Sequence, residues 1–117
     1  MTAMNFAAGS RMNSGGRYLC RGQFTVDLFN HDTFVSGRNI PLPPCTFEYL
    51  VSLMRHAPNA VSYKALVADA QGMHLKQVEA QDLARLKVYM LRKVLEENDQ
   101  TPRLITSVPG FGYRLEF

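Results

Sequence analysis

The sequence has no tryptophan, two cysteines and three histidines in 117 residues. Cys20 and Cys45 cannot build the disulfide framework of a small secreted domain. Both sit among apolar neighbours and read as small packed hydrophobes, which fits a reducing cytoplasm. His31, His56 and His74 are too far apart to supply paired metal ligands, so no metal and no cofactor are expected. His56 falls near the end of a helix, where its charged form suits the helix dipole. The chain has no apolar run approaching the ~20 residues of a membrane helix. Its first residues, "MTAMNFAAGSRMNSGGR", lack the apolar core of a secretory signal. Residues 1–16 are therefore expected to be a flexible tail or linker, and 17–117 a single cytoplasmic domain.

Catalytic signatures are missing too. "GFGYR" is not the GxGxxG of a dinucleotide fold, and there is neither a phosphate-loop lysine motif nor a G-x-S-x-G serine. The only adjacent carboxylates, Glu96 and Glu97, fall on a solvated helix end. Without a catalytic cluster no enzymatic activity and no small-molecule substrate are expected. The composition is 46% hydrophobic and 20% charged, which supports a packed core, and the net charge of +3 permits an anionic partner without requiring one.

Residues 17–42 read as an antiparallel meander of about four short strands. In "QFTVDL", Phe24, Val26 and Leu28 share one face, and Thr25 and Asp27 the other. A helix follows Pro44, with Phe47, Leu50, Val51 and Met54 as its apolar stripe and Pro58 as its stop. In "NAVSYKALVADAQG", Val61 is extended and Ser62 caps a second helix that ends at Gly72. Residues 73–79 read as a connecting loop. A third helix runs from about Ala80 to Glu97, with Ala84, Val88, Leu91 and Leu95 in a ~60° seam at ~100° per residue. Its other side carries Asp82, Arg85, Leu86, Tyr89, Met90, Arg92 and Lys93. Residues 82–95 hold four basic groups, Arg85, Lys87, Arg92 and Lys93, against one acid. Last, "RLITSV" and "YRLEF" form a hairpin across "PGFG", with Gly110 and Gly112 permitting the turn.

A sheet, three helices and a terminal hairpin make an α+β, winged helix-turn-helix pattern. The DNA major groove admits one helix, and a hairpin beside it can reach the neighbouring minor groove.

The residues add a family likeness. "LRKVLE" followed by "TPRLITSVPGFGYRL" closely resembles the end of the DNA-binding effector domain of OmpR/PhoB-type bacterial response regulators. "AVSYKAL" resembles that family's second-helix start, and "NIPLPPCTFEYLVSL" its entry to the first helix. The resemblance runs from about Tyr18 to Phe117. It implies sequence-specific binding of double-stranded DNA in transcription regulation. It also implies a recognition helix over about 82–97, a wing over 107–113, and polymerase contact through the 72–79 loop. Matching DNA-facing positions are Asp82, Leu83, Arg85, Leu86, Lys87, Tyr89, Met90 and Arg92. The chain departs from the pattern at four places, one of them "ARLK" (84–87), where the family usually has a Val-Asp-Val-His run. Asp82 stands where the family has a phosphate-binding arginine, and Thr46 replaces a glutamate. Pro109 stands where many response regulators have arginine and ToxR/CadC-like regulators often have proline. These 117 residues contain no phosphoacceptor receiver, and Asp27 and Asp32 are hairpin residues.

The candidate DNA-binding set is Ser62, Lys64, Arg85, Leu86, Lys87, Tyr89, Met90, Arg92, Lys93, Ser107, Phe111 and Tyr113. Ser62 is first a helix cap, at a helix start whose N–H groups suit a phosphate. Arg92 contacts DNA or pairs with Glu96 one turn on, and Lys87 snorkels from the core edge. Phe111 is either a staple over the sheet or an exposed wing residue. Tyr113 is expected half-buried with its hydroxyl turned to a phosphate. Two copies on repeated half-sites would raise specificity. The alternative is a winged helix retooled for protein–protein interaction, because Asp82, Leu86, Tyr89 and Met90 make a mixed, partly apolar face.

Overall fold

The computed structural model describes residues 16–99 and 104–116. The tail or linker read over 1–16 lies, apart from Gly16, outside the described residues. Four strands open the domain: β1 (Tyr18–Arg21), β2 (Phe24–Asp27), β3 (Asp32–Val35) and β4 (Arg38–Asn39). They pair in chain order as an antiparallel meander, as their alternation predicts. Phe24, Val26 and Val35 are fully buried beneath it.

Asp27, which alternation puts on the face opposite Phe24 and Val26, is a buried charge. Its carboxylate takes the Arg17 guanidinium at 3.0 Å. Its Oδ1 also accepts the backbone N–H groups of Phe29 and Asn30 at 2.9 and 3.2 Å. The side chain thus builds the β2–β3 turn from inside. Burial raises the Asp27 pKa, but the Arg17 hydrogen bond and the two backbone donors outweigh it and leave it below the usual carboxylate value. The same turn carries His31, whose ring stacks on Phe47 of the next element at 4.6 Å.

Helix α1 (Pro44–His56) starts with Pro43 as N-cap and Pro44 in the first turn, where proline's missing N–H is no loss. Its buried surface is wider than one stripe. Thr46, Tyr49, Ser52 and Leu53 are buried along with Phe47, Leu50, Val51 and Met54. The cause is position, since α1 packs against β1, α2, α3 and the last strand at once. The buried polar groups are satisfied in turn: Thr46 bonds the Pro43 carbonyl at 2.8 Å, Tyr49 bonds Gln71 at 2.6 Å, and Ser52 bonds Asp69 at 2.8 Å. Burial pushes the Tyr49 phenol up to about 12. His56 lies 3.3 Å from Asp69, so it also links α1 to the next helix.

A two-residue strand, β5 (Val61–Ser62), leads into α2 (Tyr63–Gln71). Ser62 Oγ accepts the Ala65 N–H at 3.1 Å, and Gly72 closes the helix by donating to the Ala68 carbonyl. The third helix, α3 (Gln77–Asp99), begins three residues earlier than its apolar seam indicates. Glu79 reaches back to the Lys76 backbone N–H at 3.3 Å, half of a capping box that lacks the usual Ser or Thr. The connection between α2 and α3 is therefore shortened to 72–76. Ala80, Ala84, Val88, Leu91 and Leu95 of α3 enter the core.

The chain ends in strands β6 (Ile105–Val108) and β7 (Gly112–Leu115). They form a three-stranded antiparallel sheet in the order β5-β7-β6. The turn Val108–Pro109–Gly110–Phe111 is closed by Phe111 N–H to the Val108 carbonyl at 3.0 Å. Proline second and a glycine at φ +75° third are the signature of a type II turn. Pro109 thus fits its place through turn geometry. Gly112 plays a different part from Gly110: a Cβ there would lie 1.8 Å from the Val61 carbonyl oxygen. The close approach of β5 to β7, and not the turn, requires that glycine.

Candidate nucleic-acid interface

The side of α3 opposite its buried seam is open. Asp82, Arg85 and Lys93 are exposed, and Leu86 and Tyr89 are 52% and 58% exposed. Two large apolar groups left in water on one helix face are unusual for a surface whose only task is solvation. Met90 and Lys87 flank this face half-buried, and Leu83 is likewise half-buried. Lys87 thus sits at the core edge, as the register predicts.

Arg92 does not pair with Glu96. Its Nε and Nη2 donate to the Ile105 carbonyl at 3.1 and 2.7 Å, and Nη2 reaches Ser107 Oγ at 3.3 Å. Its guanidinium lies 5.4 Å from the centre of the Tyr113 ring. One side chain therefore fixes the wing to the third helix by a fork on a strand carbonyl and a cation–π contact. Tyr113 is 5% exposed, deeper than half-buried, and packs edge-on against Tyr63 at 5.9 Å. It joins the wing to both helices.

The wing is also tied to the start of α2. The Tyr63 N–H donates to the Phe111 carbonyl at 2.9 Å. With Ala65 held by the Ser62 side chain, two of the first three amides of α2 are already occupied. Ser62 therefore acts as a cap, and the helix start offers fewer donors than its sequence suggests. Lys64 is exposed there, Ser107 is exposed on β6, and Phe111 stands 46% exposed at the wing tip. The staple reading of Phe111 gives way to the exposed one.

Arg114 was not singled out in the sequence. It projects from the outer face of β7 and pairs with Glu116 at 3.1 Å. Hydrogen bonds from Thr106 and then Arg114 hold Glu116 below the usual carboxylate range. The alternation in "GYRLE" puts Arg114 opposite Tyr113, and that period was the available signal.

A helix with a mixed basic and apolar outer face, a capped helix before it and a hairpin locked alongside define a winged helix-turn-helix protein. Residues 37–115 match the family model described as "Transcriptional regulatory protein, C terminal", and the chain belongs to that family. It is similar to the Klebsiella pneumoniae RstA DNA-binding domain in complex with the RstA box, at 25% identity and a TM-score of 0.71, over 86% of this chain and 97% of that one. The DNA-binding domain of Escherichia coli CadC is 25% identical with a TM-score of 0.62, over 80% of this chain and 86% of that one. The Thermotoga maritima response regulator DrrB, an OmpR/PhoB homologue, shares the fold at 23% identity and a TM-score of 0.64, over 86% of this chain and 45% of that one. Among the described residues no helix is long and apolar enough to cross a membrane.

Proposed function

We propose that this chain binds double-stranded DNA sequence-specifically as the effector domain of a bacterial transcriptional regulator. Helix α3 enters the major groove, and the wing over 107–113 lies beside the neighbouring minor groove. The observation that carries the reading is the Arg92 fork. It holds the wing at a fixed place beside the exposed Arg85–Leu86–Tyr89 face of α3. A helix and a hairpin that must engage two adjacent grooves together benefit from such preorganisation. Membership of the transcriptional regulatory family and the likeness to RstA, seen with its own DNA box, support the same reading.

Arg85 and Lys64 supply phosphate contacts, while Leu86, Tyr89 and Met90 face the bases. Arg92, already bound to the wing, acts by positioning. Two copies on repeated half-sites add the specificity that one short helix face lacks. The segment 72–79, with Met73 37% and Val78 69% exposed, is the surface for RNA polymerase. The test is fluorescence anisotropy with duplexes recovered from a randomised library. Submicromolar, sequence-dependent binding that Arg85→Ala weakens about five- to tenfold is expected; recovery of no duplex would rule it out.

A second reading rests on the exposed Leu86 and Tyr89 beside Asp82, a face that also suits a protein partner. Absence of duplex binding together with self-association lost on Met90→Asp would favour it.

A further inference from the structure

The outermost line of α3 has a chemistry of its own. Asp82, Leu86, Tyr89 and Lys93 fall at i, i+4, i+7 and i+11, within a ~60° arc. Each stands two places before a member of the buried seam Ala84, Val88, Leu91 and Leu95, so the line points ~200° away from the core. It would lie deepest in a groove that received α3. Arg85 and Arg92 stand to one side of it, toward the wing.

The first three residues of this line offer an acceptor and two apolar bodies. They include no guanidinium, ammonium or carboxamide, the groups that read guanine or adenine by paired hydrogen bonds. An ionised Asp82 only accepts hydrogen bonds. Phosphates repel it, whereas the exocyclic amine of cytosine on the groove floor is a donor that fits it. The apolar feature of the major groove is the thymine methyl. Leu86 and Tyr89, 52% and 58% exposed, would bury against it.

Resting on the DNA-binding reading above, we propose that the Asp82–Leu86–Tyr89 line is a pyrimidine reader. Asp82 takes a cytosine amine, and Leu86 and Tyr89 cover thymine methyls on the following base pairs. The acid at position 82 then serves selectivity, excluding bases that present only acceptors to it, at the expense of general attraction to the backbone.

The test uses the 117-residue chain and the tightest duplexes it selects from a randomised library. These are resynthesised with deoxyuridine for thymine, which deletes the methyl and keeps the pairing. Wild type should lose about fourfold in affinity for each contacted methyl. Leu86→Ala and Tyr89→Ala should bind thymine and uracil duplexes alike at the position each covers. Asp82→Asn should select adenine in place of cytosine at one position, with overall affinity equal or higher because a negative charge is gone. Equal wild-type affinity for thymine and uracil duplexes, or an unchanged selected sequence for Asp82→Asn, overturns this proposal and leaves DNA binding standing. Recovery of no duplex by wild type overturns both.

Discussion

Arg92 on α3 grips the Ile105 carbonyl of β6 through Nε and Nη2, at 3.1 and 2.7 Å. The helix and the wing are thereby one unit. Arg92→Ala removes three charge-assisted hydrogen bonds, two to the Ile105 carbonyl and one to Ser107 Oγ, and a ring contact. Stability should fall by about 1–2 kcal/mol, read by urea unfolding. Amide exchange in Ile105–Val108 should rise more than in Tyr18–Asp27. Arg92→Lys keeps the charge without the fork and should recover only part of the loss. Equal protection of both sheets in Arg92→Ala would show that the fork does not hold the wing.

The two wing glycines should respond unequally. Gly110→Ala forces a side chain into a left-handed backbone in open space, costing about 1 kcal/mol. Gly112→Ala pushes a Cβ against the Val61 carbonyl and the Ser62 backbone, and neither can yield without parting β5 from β7. Its cost should exceed about 2 kcal/mol. Thermal unfolding of the two variants checks the order.

Ser62→Ala removes the acceptor for the Ala65 N–H and should lower stability by about 1 kcal/mol. Ser62→Asp restores an acceptor and should recover it. If Ser62 is a cap and not a DNA ligand, the folded Ser62→Ala domain should bind duplexes within about twofold of wild type. A tenfold loss in anisotropy would return Ser62 to the interface.

Asp27 gives the fold an acid dependence of known sign. The Arg17 hydrogen bond and the two backbone donors hold its folded pKa below the ordinary carboxylate value, so the unfolded chain binds the extra proton. The stabilisation is fully present above about pH 4 and is lost as pH falls through the lower, folded value. Asp27→Asn keeps an acceptor for the Phe29 and Asn30 amides but loses the charge. Its unfolding free energy should decline less than that of wild type between about pH 4 and pH 2, followed by chemical denaturation.

Much of this was legible in the sequence, and the failures share a cause. Local signals were sufficient for the meander, the Ser62 cap, the Gly72 stop and the Ala84–Leu95 seam, because period and capping act within one element. Sequence leaves Arg92 between a DNA contact and a pairing with Glu96, because the acceptor it takes in the fold, a strand carbonyl 13 residues on, leaves no trace in local spacing. Gly112 looked like a turn residue because its neighbour, Val61, is 51 positions earlier in the chain. Alternation gave Asp27 a face but not its burial, which depends on an arginine and two turn amides that satisfy its carboxylate. The early start of α3 rests on a Glu79 contact without the serine or threonine that usually announces it. At the candidate interface, sequence marked the exposed residues of α3 and could not show that Arg92 and Tyr113 also join the wing to the helices.

The most direct test of the central claim is the salt dependence of duplex binding by wild type and by Arg85→Ala. With phosphate contacts in place, log K should fall linearly with log salt, with a slope near −0.9 per phosphate neutralised. Arg85→Ala should reduce that slope by about one. A slope near zero, or one that Arg85→Ala leaves unchanged while the wild-type domain binds, would contradict an interface built on the outer face of α3.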